Sequence, residues 1–218
     1  MNNGTFDFNV FIKESKDVLV NPKSYFSAMK TTGGMIEPLI KTVIYGAIAG
    51  IFAFLWSILN IGAVTGGIFG GAFGIMLFIW YIIGAIIGLF ILAVIILVIS
   101  SICKGNTDFE ANVRVTSALL VIMPISIFIS FVGGINFYFG LIVSLAVSAY
   151  TLWLLYLALI EALKSKPETA KIAMSFFIAV FVLFLFIYGL GVWKKTNQLL
   201  NEFKNTDFKE LPKEIEKN

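Results

Sequence analysis

Four ionisable side chains stand at the edges of long apolar stretches: Lys41, Arg114, Glu161 and Lys171. Such charges either mark where a helix leaves the membrane or pair at the inner interface, as Glu161 can with Arg114 or Lys164. Groups that would do covalent chemistry are scarce. The chain has no histidine and one cysteine, Cys103. This excludes imidazole bases, histidine metal sites, internal disulfides and thiolate clusters. Ser100, Ser101, Ser126, Ser130, Ser144 and Ser148 therefore have no imidazole to activate them, and a membrane serine more often bonds helix backbone. Asp108 and Glu110 lack a third ligand group nearby in the sequence. A phosphate-cradling loop would need a lysine and a strand beside its glycines, and neither is found. We expect a non-enzymatic protein with no cofactor, no metal and no nucleic-acid partner.

A second set of residues has spacing suited to packing rather than catalysis. Gly62, Gly66, Gly70 and Gly74 form a ladder at spacing four, with Gly67 and Gly71 beside it. Gly46 and Gly50, and Gly84 and Gly88, form two more pairs. Missing side chains let helix backbones approach closely in lipid. Three uses are open: packing of the first two spans on each other, a homo-oligomer, or a glycine-lined path.

These residues need helices to position them, and composition says where the helices lie. Of 218 residues, 59% are hydrophobic and 13% are charged. The mean hydropathy is +0.93. A water-soluble fold of this size cannot hide so much apolar surface, which excludes a soluble enzyme. Charge is absent from Thr42 to Cys103, from Val115 to Ile160 and from Ile172 to Trp193. A spanning helix takes about 20 residues. The runs are read as five spans, at about 38–59, 79–102, 111–132, 138–162 and 172–193. The second run is split at Gly133-Gly134 and Asn136. The Gly-rich apolar segment 62–78 remains, read as a re-entrant or tightly packed half-helix in preference to a sixth span. The predicted fold is an all-α integral membrane protein, a five transmembrane helix bundle with an interfacial N-terminal amphipathic helix.

Residues 1–37 then form a cytoplasmic or interfacial lead, and 194–218 a polar tail. No continuous apolar core is present in residues 1–20, so the first span is expected to serve as an uncleaved insertion signal. Phe8, Phe11, Ile12 and Leu19 recur at helical spacing among Lys13, Glu14, Lys16 and Asp17, as in a helix lying at the interface. Asn21-Pro22 restarts a short helix, with Asn as N-cap. Thr107 and Glu110 read as a capping box opening the third span. Lysine and arginine concentrate before the first span and in the second and fourth loops, which places the N-terminus and those loops in the cytoplasm.

The order of these features resembles a known family. Val20-Asn21-Pro22-Lys23-Ser24-Tyr25-Phe26 precedes the first span and Glu37-Pro38-Leu39 opens it. The loop Lys104-Gly105-Asn106-Thr107-Asp108-Phe109 leads into Arg114-Val115 and then Pro124. A double-glycine turn and a Glu-Ala-Leu-Lys segment at 161–164 follow. Over about residues 17–192 the chain resembles the Yip1 family of multi-span membrane proteins. The resemblance implies a five-helix bundle with a cytoplasmic N-terminus. In eukaryotes it implies vesicle traffic and prenylated Rab-type GTPases, for which the short N-terminal region leaves little room. The Lys-, Ile-, Phe- and Asn-rich style points to a prokaryotic cell membrane rather than ER or Golgi. The expected partners are membrane lipids, a second copy through the glycine rows, and a protein at the cytoplasmic face. The expected role is organising or recruiting partners. The alternative is a small transporter, channel or lipid-moving protein.

Overall fold

The computed structural model describes residues 6–59, 70–180 and 182–183. The chain divides into two units, Met1–Ala173 and Met174–Asn218. The described residues contain helices and no strands. In order they are α1 (Phe8–Val20), α2 (Pro22–Ala28), α3 (Ile36–Leu59), α4 (Gly70–Ile102), α5 (Phe109–Leu119), α6 (Ile122–Ile129), α7 (Phe131–Ile135) and α8 (Phe137–Leu157). A π-helical turn, Ala158–Ala162, continues α8. Residues 167–180 are also helical.

Among the described residues, four stretches are long and apolar enough to cross a membrane: Ile36–Leu59, Gly74–Ile102, Phe109–Ile135 and Tyr138–Ala162. Of the expected fifth span, residues 172–180 and 182–183 are helical, and the remainder lies outside the described residues. Trp80, Ile87, Ile91 and Val98 are exposed along α4. Water does not tolerate an apolar surface of that extent, and lipid does. The side of α4 that is buried carries Ala85, Leu89 and Ala93 at spacing four. Leu89 and Ala93 meet Val113 of α5, with Leu39, Phe90 and Leu120 packed around them.

Several boundaries differ from those read in the sequence. The second spanning helix begins at Gly70 rather than near Ile79, so residues 70–78 are its first turns. Residues 60–69 of the Gly-rich segment lie outside the described residues.

The third span is not one helix over 111–132 but three short ones. Proline has no N–H to donate to the carbonyl four residues back, and its ring crowds that carbonyl. Leu120 stands four residues before Pro124, and its carbonyl is taken instead by the Met123 N–H at 2.9 Å. The helix breaks there, between Leu119 and Ile122.

Gly133 and Gly134 are not the turn, since both are helical within α7. The reversal falls at Asn136, whose extended backbone and side-chain oxygen cap α8 through the Phe139 N–H at 3.0 Å.

The capping box also fails. Asp108, not Thr107, caps α5, accepting from the Ala111 N–H at 2.9 Å. A carboxylate at that position satisfies an unpaired first-turn donor. Asn21 precedes Pro22 as expected but makes no side-chain cap bond.

Candidate functional site

The charges at the near ends of α3 and α5 form one connected network. Glu37 lies in the first turn of α3, and Lys41 follows one turn later on the same face. Arg114 comes from α5. Both terminal nitrogens of Arg114 donate to Oε2 of Glu37, each at 3.1 Å. Lys41 Nζ lies 2.6 Å from the other oxygen of that carboxylate and 2.5 Å from Glu14 of α1. Arg114 also reaches Glu110 at 3.4 Å. Glu110 in turn accepts from the Gly34 N–H at 2.6 Å.

The two bases are nearly sealed from solvent, with side chains 10% and 7% exposed for Lys41 and Arg114. A lone buried charge would be costly, and each is instead met by two carboxylates. Gly33 and Gly34 adopt positive φ of 129° and 89°, which glycine accepts without strain. A side chain at Gly33 would press on the Arg114 guanidinium, 2.9 Å away.

α1 is fastened to the spanning helices by neutral groups as well. The Ser15 and Tyr45 hydroxyls are 2.7 Å apart, and the Phe11 and Tyr45 rings lie 5.1 Å apart. Tyr150 of α8 donates to the Leu19 carbonyl at 2.5 Å. Tyr25 of α2 borders the charged network. Burial, and then the nearby Glu14, Tyr45 and Glu37, push its phenol far above the ordinary tyrosine range, with Arg114 opposing.

Two loops at the same end are knitted together. The Asn106 N–H donates to the Leu163 carbonyl at 2.7 Å, and the Lys166 N–H to the Cys103 carbonyl at 2.9 Å. The Thr169 hydroxyl reaches the Cys103 carbonyl at 3.2 Å. Inside the first loop, Ser100 and Asn112 both donate to the Asn106 carbonyl, at 2.8 and 3.2 Å. Lys104 and Lys164 occupy the left-handed region, with φ of 58° and 55°. That conformation is unusual for residues with a Cβ and holds only where surroundings fix it. At Gly105 an added Cβ would collide with Ser165 and Ser100. Lys104, Lys164 and Lys166 are exposed around this clasp. Cys103 is buried within it, and burial raises its thiol, the Thr169 contact pulling the other way. A buried neutral thiol is a poor nucleophile.

The residues singled out in the sequence fall in different places. Lys41 and Arg114 come together in the network. Arg114 pairs with Glu37 and Glu110, not with Glu161. Glu161 is half-buried in the π-helical turn, and Lys171 is exposed on the following helix. Gly46 and Gly50 face α4 at close range: an added Cβ would stand 2.9 Å from Ala85 Cβ at one and 2.9 Å from the Phe78 ring and carbonyl at the other. Gly74 faces Phe54 in the same way, at 2.7 Å. Gly84 and Gly88 have nothing within 4 Å of such a Cβ. Gly70 and Gly71 lie in the first turn of α4, and Gly62, Gly66 and Gly67 lie outside the described residues.

Sequence reasoning missed Glu14, Glu37 and Glu110 as partners of the bases. Two i,i+4 pairs, Glu37 with Lys41 and Glu110 with Arg114, are the signals that spacing offers.

No curated protein and no solved structure matches the chain. One family model does, the Yip1 domain, over residues 16–189, which takes in the network except Glu14, the two-loop clasp and the four apolar spans found among the described residues. The chain therefore belongs to the Yip1 domain family, and it is a multi-pass membrane protein.

Proposed function

We propose that this protein is a non-enzymatic organiser that recruits a protein partner at the cytoplasmic face of a prokaryotic cell membrane. We read the charge-free run from Ile172 to Trp193 as a fifth crossing, which makes the number of crossings odd. The N-terminus and the two-loop clasp then share the cytoplasm, where lysine is enriched.

The observation that carries this reading is the locking of the clasp. Backbone bonds from Asn106 to Leu163 and from Lys166 to Cys103 hold Lys104, Lys164 and Lys166 outward on a fixed frame. A surface ordered in advance loses little entropy on binding. Its charge suits an acidic protein surface, steering encounter and fixing orientation. Any self-association is assigned to Gly84 and Gly88, since Gly46 and Gly50 are occupied by the packing of α3 on α4.

A photo-crosslinking side chain at Lys104→Xaa or Lys164→Xaa, used in native membranes, tests the reading. It predicts one recurrent protein adduct that is lost when the other two of Lys104, Lys164 and Lys166, those not carrying the crosslinker, are changed to glutamate. No adduct, or an adduct indifferent to those changes, overturns it. Lipid or solute flux in liposomes above that of empty vesicles would favour a transporter instead.

A further inference from the structure

Helix α1 carries more apolar surface than the protein covers. Its inner face is set by Phe11 and Val18, 4% and 1% exposed. Phe8 and Ile12 stand beside that face rather than on it, 57% and 51% exposed. Lys16 follows them in the same i,i+4 row and is exposed, as are Lys13 and, on α2, Lys23. Passing round the helix, one meets protein contact, then an open apolar flank, then lysines.

The acids around α1 offset those lysines only in part. The Asp7 carboxylate accepts from the Asn9 N–H as the helix cap, and Glu14 turns inward to Lys41. Asp17 is half-buried.

Two side chains of the spanning helices anchor α1. Tyr45, which Phe11 and Ser15 touch, lies about 13 Å along α3 from its start. Tyr150, which holds the Leu19 carbonyl, lies about 18 Å back from Ala162 at the end of its span. Both tyrosines reach α1 from spanning helices, which ties it to the membrane-crossing part of the protein.

We propose that the flank of α1 is a lipid-binding surface: Phe8 and Ile12 enter the acyl boundary of the cytoplasmic leaflet, and Lys13, Lys16 and Lys23 hold anionic headgroups. Apolar residues beside a row of lysines match the acyl-to-headgroup boundary, and the long lysine stems reach up to the phosphates. Attraction to an anionic leaflet adds to the apolar burial and weakens with salt. This assignment does not rest on the partner-recruiting role.

The test uses the full chain in liposomes, with no other protein present. In a Cys103→Ser background, nitroxides are attached at Phe8→Cys, Ile12→Cys and Lys13→Cys. Oxygen should relax the labels at 8 and 12 several-fold more than a water-soluble nickel chelate does, with the order reversed at 13. Adding phosphatidylglycerol to phosphatidylcholine should deepen 8 and 12, and Lys16→Glu with Lys23→Glu should abolish that change. Nickel access at 8 and 12 equal to that at 13 overturns the proposal and leaves the flank for a protein. Identical readings in the two lipids overturn the headgroup assignment. Unchanged thermal melting confirms that each labelled variant is folded.

Discussion

Arg114 grips a single oxygen of Glu37 with both terminal nitrogens, at 3.1 Å each, which leaves the second oxygen to Lys41 at 2.6 Å. One carboxylate in the first turn of α3 thereby ties α5 to α3, and through Lys41 and Glu14 ties α1 to both. Carboxylates near a helix N-terminus are also favoured by the helix dipole.

Removing the arginine should therefore loosen more than one helix. Arg114→Ala is expected to cost about 2–3 kcal/mol, below the full figure for a buried pair because Glu37 and Glu110 still reach water. Arg114→Lys should recover only part of it, since an ammonium cannot present a fork. Melting in detergent measures both. A double-mutant cycle with Glu37→Gln should return a coupling of about 1 kcal/mol or more. Additive losses would show that the pair does not act as a unit.

The two glycine pairs should respond in opposite ways. Gly50→Leu drives a side chain into Phe78 and is expected to destabilise by about 2–3 kcal/mol. Gly84→Leu meets open space and should stay within about 0.5 kcal/mol. Equal losses would mean that the α3–α4 approach is not as described.

Tyr25 sets an alkaline limit. In the fold its phenol stays protonated well above the ordinary value, chiefly through burial. The unfolded chain gives up that proton near pH 10. Unfolding then releases a proton, so stability is full below about pH 10 and falls by up to about 1.4 kcal/mol per pH unit above it. Melting across pH 9–11 (a window bracketing that value) should show the fall. Tyr25→Phe should flatten it relative to wild type; an unchanged slope would assign the loss to other groups.

The fastening of α1 can be read by hydrogen exchange. Tyr45→Phe and Tyr150→Phe each remove one hydrogen bond to α1, and each is expected to cost about 1 kcal/mol. Amides of residues 11–19 should exchange faster while those of α4 do not change. Uniform acceleration would indicate global rather than local loosening.

How much of this was legible in the sequence depends on the range of the interaction. Absence of charge is a local property, so the runs around α3 and α8 gave span limits close to those found. Pro124 is equally visible, but absence of charge does not register the break it causes at Leu120, because the apolar run continues on both sides. The network was not legible. Glu37 and Arg114 are separated by most of two spans, and nothing in residue spacing announces their meeting. At the failed capping box, Asp108 takes the Ala111 N–H, while Glu110 is held by Arg114 one turn on and by the distant Gly34. The packing row was half legible. Spacing flagged Gly46, Gly50, Gly84 and Gly88 alike, and only the partner helix separates the first pair from the second.

Everything proposed about recruitment and lipid contact requires the ion-paired end of the molecule to face the cytoplasm. Topology reporters fused at the N-terminus, within the 104–107 loop and at the C-terminus measure this directly. The account predicts cytoplasmic signals from the first two and an external signal from the third. A C-terminal reporter in the same compartment as the N-terminal one, or a loop reporter outside, would contradict it.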